Sequence, residues 1–238
     1  PSFLGTVSLT APAGHSTAEP GSRVTILPGA ALTHGADALP DTLDVVVQGG
    51  FSNTTQETLG SLSGTGEVMV AALLTVGRND VSTNFGGRLI GASSFIKSGT
   101  GRQDLTGVST TFTGPLVVNS GVLALSGQGQ VTNTGTAAIT LIGSGTFLLD
   151  NADVNNTNRL LGTAPGITFQ GGTFRVIGKD GAASGEALGA ATFAGGTSTI
   201  DVVNGIGLGS SAEVIFSALT ANPAGMVNIT ASGEGTLG

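Results

Sequence analysis

The sequence predicts an all-β fold, a solenoid wound into about ten short coils. Three observations lead there. Short runs of β-branched and aliphatic residues alternate with Gly, Asn, Ser and Thr, most regularly from Glu57 to Ser126, and none is long enough for a helix of three turns. Of 238 residues, 41 are Gly, and only 10% are charged, against roughly 25% in an average domain. Hydrophobic residues still make up 39%, too many for a disordered chain, yet small side chains carry much of the bulk. Such residues fill a core one coil across better than a wide globular one. Finally, Phe169-Gln170-Gly171-Gly172-Thr173 returns as Phe193-Ala194-Gly195-Gly196-Thr197, 24 residues later, a solenoid-length repeat.

Taken in order, residues 3–9 alternate as a strand, with Phe3, Val7 and Leu9 apolar. Residues 11–21 hold Pro12, Gly14, Pro20 and Gly21 and read as loop. Residues 24–27 and 31–33 are short strands around Pro28-Gly29, and 34–40 is a turn region. Residues 43–47 form the strongest strand near this end, closed by Gly49-Gly50, and the polar residues 53–56 are expected to project as a loop. After Ser126, 131–135 reads as a turn-prone link, 137–142 and 146–149 as two strands, and 150–158, dense in Asp and Asn, as loop. Residues 180–189 are the best candidate for an excursion from the stack, as a helical turn or loop. Asn119 and Asn204 suit left-handed corner positions. At ~20–25 residues per coil and ~4.8 Å per coil, the single domain 1–238 would be a rod of about 50 Å.

Composition excludes several function classes. A net charge of −7 with eight scattered basic residues argues against nucleic acid. The absence of Cys removes disulfides and thiolate metal sites. No apolar run reaches the length of a membrane-spanning helix. His15 and His34, the only histidines, sit in Gly/Pro-rich stretches with no ligand near in sequence, and read as surface turn residues. The clusters Asp37/Asp41/Asp44 and Asp150/Asp153/Asn155 lack calcium-loop spacing and read as Asx turns. Ser63-Gly64-Thr65-Gly66 and Ser98-Gly99-Thr100-Gly101 lack the Gly-Lys-Ser/Thr of a phosphate loop, and Gly205, Gly207 and Gly209 do not match the dinucleotide fingerprint. Arg175, Lys179 and Asp180 have the residue types of a lyase-type base, in an ordinary surface setting. No catalytic, cofactor-binding or metal-binding residue is assigned.

One stretch carries a family resemblance. Gly60-Ser61-Leu62-Ser63-Gly64-Thr65-Gly66, Leu74 with Thr75-Val76-Gly77, Lys97-Ser98-Gly99-Thr100-Gly101, Phe112-Thr113-Gly114, Val118-Asn119-Ser120-Gly121 and Leu123-Ala124-Leu125 follow one another in order. This series resembles the autotransporter-associated β-strand repeat, or passenger-associated transport repeat. It departs at Gln103-Asp104, where the family usually has a Thr-Leu-Thr-Leu strand. The resemblance implies a right-handed parallel β-helix in an extracellular or bacterial cell-surface protein, and no reaction. The function expected is therefore non-enzymatic: a structural or surface-display β-helix of a fibre, passenger or matrix. The alternatives are an adhesin that takes a receptor or a host or matrix glycan on residues 10–23, 49–56 or 150–158, and a polysaccharide-degrading enzyme. The latter would lack Trp and Tyr platforms. Neither end shows a capping helix, and residues 232–238 read as another turn, so the stack is expected to continue, in a longer chain or end to end with a copy.

Overall fold

Alternation and glycine corners wind this chain into parallel coils. In the computed structural model, residues 6–9, 21–35, 39–132, 139–162 and 164–233 are described. Every paired strand runs parallel to its partners, and the described residues contain no helix. Three ladders form the walls. The first stacks Thr6–Leu9, Ala31–His34, Gly50–Asn53, Glu67–Val70, Arg88–Gly91 and Thr111–Phe112. The second stacks Glu57–Leu59, Leu74–Val76, Phe95–Lys97 and Leu116–Val118, and the third includes Arg23–Ile26, Asp44–Val47, Ser61–Gly64 and Arg102–Leu105. In the C-terminal half, Ile139–Asp150 and Ile167–Ile177 each serve the second and third walls in one strand, as does the later part of Ala183–Val203. Of the two strands expected at 137–142 and 146–149, residues 139–142 and 146–149 belong to one strand with an irregularity after Gly143, and 137–138 lie outside the described residues.

The expected parallel β-solenoid is what forms, with about eight turns where about ten were expected. Coil length explains the difference. Stacked partners lie 21 residues apart at Ile96 and Val117, but 29 apart at Asp201 and Thr230. The Phe-Gly-Gly-Thr repeat is also structural: Phe169 stacks on Phe193 with ring centroids 4.9 Å apart. An irregularity after that pair shifts the register, so Thr173 meets Thr199 and not Thr197.

The core is a set of columns, because alternate residues of each strand point inward. One column runs Val76, Lys97, Val118, Leu141, Phe169 and Phe193. The corners between walls need glycine. A Cβ on Gly107 would lie 1.8 Å from the Gly87 carbonyl oxygen of the coil beside it. Coils stacked this closely leave no room for a side chain at such a corner.

Four local expectations fail, for related reasons. Asn53 ends the strand Gly50–Asn53, and its buried amide donates to the carbonyls of Thr55, Ala72 and Leu73. It staples a corner from inside. Residues 183–189 do not leave the stack but begin the strand Ala183–Val203, with Leu188 buried. Of the link expected at 131–135, residues 131–132 belong to the strand Gln130–Thr132, and 133–135 lie outside the described residues. Among the described residues, the positive-φ non-glycine is Asp80, at 63°, rather than Asn119 or Asn204. Asp80 earns that corner through its carboxylate, which accepts the Thr100 amide at 2.7 Å.

Lys97 is the outlier of its column. It is fully buried between Val76 and Val118, and its ammonium donates to the carbonyls of Ser98 and Gly99. Desolvation lowers its pKa from 10.5 to about 8, with Asp80 opposing the shift. The folded chain therefore releases this proton at lower pH than the unfolded chain. Unfolding takes up a proton between about pH 8 and 10.5, so stability rises with pH through that window. In denaturant titrations across the window, Lys97→Met is expected to abolish this rise. A rise of equal size in the variant would assign it to another group.

Candidate functional site

The candidate reactive groups do not converge. His34 lies at the inner end of Ala31–His34, fully buried, with Nδ1 3.2 Å from Glu57 Oε2 and its ring tilted against Phe51. It is a core residue and not the surface turn residue expected. The Glu57 carboxylate also accepts the amides of Thr58 and Leu39. His15 and Asp37 fall outside the described residues. Asp44 accepts hydrogen bonds from Ser61 and Asn79. Arg175 pairs with Asp201 at 3.1 Å, the Lys179 ammonium donates to the carbonyls of Ala152 and Asp153, and Asp180 accepts the Ile206 amide. The lyase-like trio is thus dispersed over three separate structural tasks. Among the described residues, no group of three or more His, Asp and Glu is placed to hold a metal ion.

The corner after Asp150 is where the structure builds something. Residues 151–158 leave the stack between Ile139–Asp150 and Leu160–Leu161, as the Asp/Asn density predicts. Arg159 holds them from below. Its side chain is fully buried, and all its N–H directions find oxygen. Nε donates to Asn151 Oδ1 at 2.7 Å, Nη1 to the carbonyls of Gly127 and Gly129, and Nη2 to those of Asp150 and Val154. The next coil closes the other side. Glu186 accepts the backbone amides of Arg159 at 2.9 Å and Leu160 at 3.4 Å. Desolvation pushes the Arg159 pKa down and the Glu186 pKa up, each opposed by the other's charge. Burial at this corner is tolerable because each charge is hydrogen-bonded.

The loop is tied on its outer side as well. Asn155 donates to the Ala183 carbonyl and accepts from Ser184 Oγ, both at 2.7 Å. Gln130 donates to the Asn158 carbonyl at 2.8 Å. Lys179 reaches the loop from the coil beyond. These bonds fix the backbone while leaving Ala152, Asp153, Thr157 and Asn158 exposed. Beside Thr157 runs an open groove of about 300 Å³, floored by Ala183, Gly185 and Ala187 and edged by Glu213. A rigid scaffold carrying a preorganised polar loop suits recognition, since little ordering entropy is lost on contact. The buried charges of Arg159 and Glu186 are taken up in holding the loop, whereas Asp153 and Glu213 are exposed beside the groove.

Of the other surfaces expected to recognise a partner, residues 49–56 form strand and corner, and most of 10–23 falls outside the described residues. Arg159 and Glu186 escaped sequence reasoning. The available signal was a lone Arg ending an Asn-rich loop. On the third wall, a second set ties coils together: Arg102 grips Asp104 through both of its carboxylate oxygens and reaches Asp150 at 3.0 Å.

Residues 95–125 match the passenger-associated transport repeat family. Over 186 residues, 74% of the chain, the sequence is 32% identical to the adhesin BmaC autotransporter of Brucella suis biovar 1 (strain 1330). The matched span is 5% of that protein's length. No solved structure matches the chain.

Proposed function

From a chain that carries a passenger-associated transport repeat and is of the extracellular or bacterial cell-surface kind, we propose that this β-solenoid is a non-enzymatic display segment that binds a receptor or glycan in the manner of an adhesin. The rod supplies reach and stiffness, and the locked loop at residues 151–158 supplies the contact. The observation that carries the reading is the Arg159 anchor, which immobilises the loop while its tip faces solvent. Sequence similarity to an autotransporter named as an adhesin supports it. The dispersal of Arg175, Lys179 and Asp180 favours it over a polysaccharide-degrading enzyme.

The test separates the tip from its support. Asp153 and Thr157 are exposed, so the double variant Asp153→Ala/Thr157→Ala is expected to shift stability by no more than about 0.5 kcal/mol. Binding of the purified chain to host cells, or to an array of host and matrix glycans, is expected to fall at least about tenfold. Full binding by a folded variant would remove the loop from the contact surface.

A further inference from the structure

We propose that an extended, basic segment of a partner polypeptide adds as a strand to a free edge at Gly185 and Ala187, beside the loop at residues 151–158. The inference rests on the display reading above and names the kind of partner. A break inside the wall creates the edge. Val108–Ser109, Gln130–Thr132 and Leu160–Leu161 form a short parallel ladder that ends at Leu160–Leu161. One coil further on, Ala183–Val203 is paired over residues 183–188 only with Ser211–Ala221, the strand of the following coil. Side chains bridge the break: Glu186 accepts the amides of Arg159 and Leu160, and Asn155 donates to the Ala183 carbonyl. Described coils lie on both sides, so the edge belongs to the wall and not to a chain end.

The register shows which backbone groups are left over. Successive residues of a parallel strand turn their N–H and C=O toward opposite neighbours. Ser211 pairs with Ala183, and its amide donates to the Ala182 carbonyl. Ser184, Glu186 and Leu188 therefore bond toward Ser211–Ala221, while Ala183, Gly185, Ala187 and Gly189 turn toward the preceding coil. There the Ala183 carbonyl meets Asn155, and the Gly189 amide meets the Pro165 carbonyl. Between those two ties no described strand reaches Gly185 or Ala187, and both line the open groove beside Thr157. Their N–H and C=O groups recur every ~6.6 Å, the repeat of an extended polypeptide backbone. A glycan lacks a backbone that alternates donor and acceptor at this spacing. Charge selects the sequence. Asp153 and Glu213 are exposed beside the groove, and the Lys179 ammonium is already held by the carbonyls of Ala152 and Asp153. A segment with Lys or Arg at alternate positions complements both carboxylates.

Amide hydrogen exchange tests the edge in the unaltered chain. Without ligand, the Gly185 and Ala187 amides are expected to exchange at least about tenfold faster than those of Glu186 and Leu188, which the ladder holds. A short unstructured peptide of alternating Lys and Thr is expected to slow both amides at least about tenfold, and its counterpart of alternating Glu and Thr to leave them unchanged. Fluorescence anisotropy of the labelled Lys peptide then reads the variants. Ala187→Pro removes one groove-facing donor and no ladder bond, and is expected to weaken binding at least about tenfold. Glu213→Gln, at an exposed position, should weaken it several-fold. Circular dichroism identifies the variants that keep their fold. Slow exchange at Gly185 and Ala187 in the free chain overturns the proposal, as does equal binding of the two peptides. Protection that grows with the concentration of the chain alone would assign the edge to a second copy, and protection by a glycan would assign it to a sugar; either overturns the proposal. Cell binding lost in Asp153→Ala/Thr157→Ala but kept in folded Ala187→Pro would leave the display reading standing and remove the edge from it.

Discussion

Arg159→Met is expected to destabilise the chain by about 3–5 kcal/mol, the order seen when a buried charge that compensates another buried charge is removed, here with several buried acceptors left unmet. Methionine fills much of the space but donates nothing. The carbonyls of Gly127, Gly129, Asp150 and Val154 and the Asn151 amide oxygen then lose a buried donor together. Glu186 loses the nearest opposing charge while it stays desolvated. Chemical denaturation measures the loss, and limited proteolysis should show cleavage within residues 151–158 before the rest of the stack opens. The partner substitution separates the two causes. Glu186→Gln keeps an acceptor for the Arg159 and Leu160 amides and removes only the charge, so its effect should be the smaller. Equal losses in the two variants would place the cost in electrostatics and not in the five oxygens.

Gly99→Ala is the second large effect, expected at about 3 kcal/mol or more. Two terms add. Gly99 has φ of 68°, which costs an L-residue roughly 1 kcal/mol or somewhat more. Its new Cβ would also lie 1.9 Å from the Gly77 carbonyl oxygen, a backbone atom that moves only if two coils separate. Gly21→Ala isolates the first term: φ there is 82°, and nothing lies within 4 Å of its Cβ position. That variant should lose only the conformational cost. The difference between the two melting shifts then measures how tightly adjacent coils press together at a corner. Losses of the same size would mean that coil stacking tolerates an extra methyl.

These two residues mark what could be read from the sequence and what could not. The corner glycines were legible, because Gly between short β-type runs has a single structural reading, and Gly99 falls in the stretch that matches the transport repeat. The strands from Glu57 to Ser126 were legible for the same reason. The polar interior was not. In an ordinary amphipathic reading, His34, Asn53, Glu57, Lys97 and Arg159 belong to the surface, yet each is buried. A solenoid has a corner between each pair of walls, and there backbone carbonyls point inward with no ladder partner. Asn53, Lys97 and Arg159 donate to such carbonyls. No local pattern distinguishes them from solvated residues, because what buries them is the stacking of neighbouring coils, whose residues lie about 20 or more positions away in sequence. Residues 183–189 were misread for a related reason. Their small side chains suggest a loop, but the ladder to residues 211–216 holds them as strand, and Gly189 lets the Ala164 carbonyl approach to 2.7 Å of its Cβ position.

The account depends on coils that climb along one axis, and one outward column measures that climb. Thr75, Ile96, Val117, Thr140, Thr168, Thr192 and Thr220 follow one another coil by coil on the second wall. Spin labels placed at Thr75 and, in separate samples, at Thr140, Thr168, Thr192 or Thr220 report the distance by pulsed electron resonance. The spacing should grow by about 4.8 Å with each coil, to about 29 Å for the pair Thr75 and Thr220. Distances that fail to grow linearly with coil number, as they would in a closed barrel or two sheets packed face to face, would contradict the solenoid and the display function drawn from it.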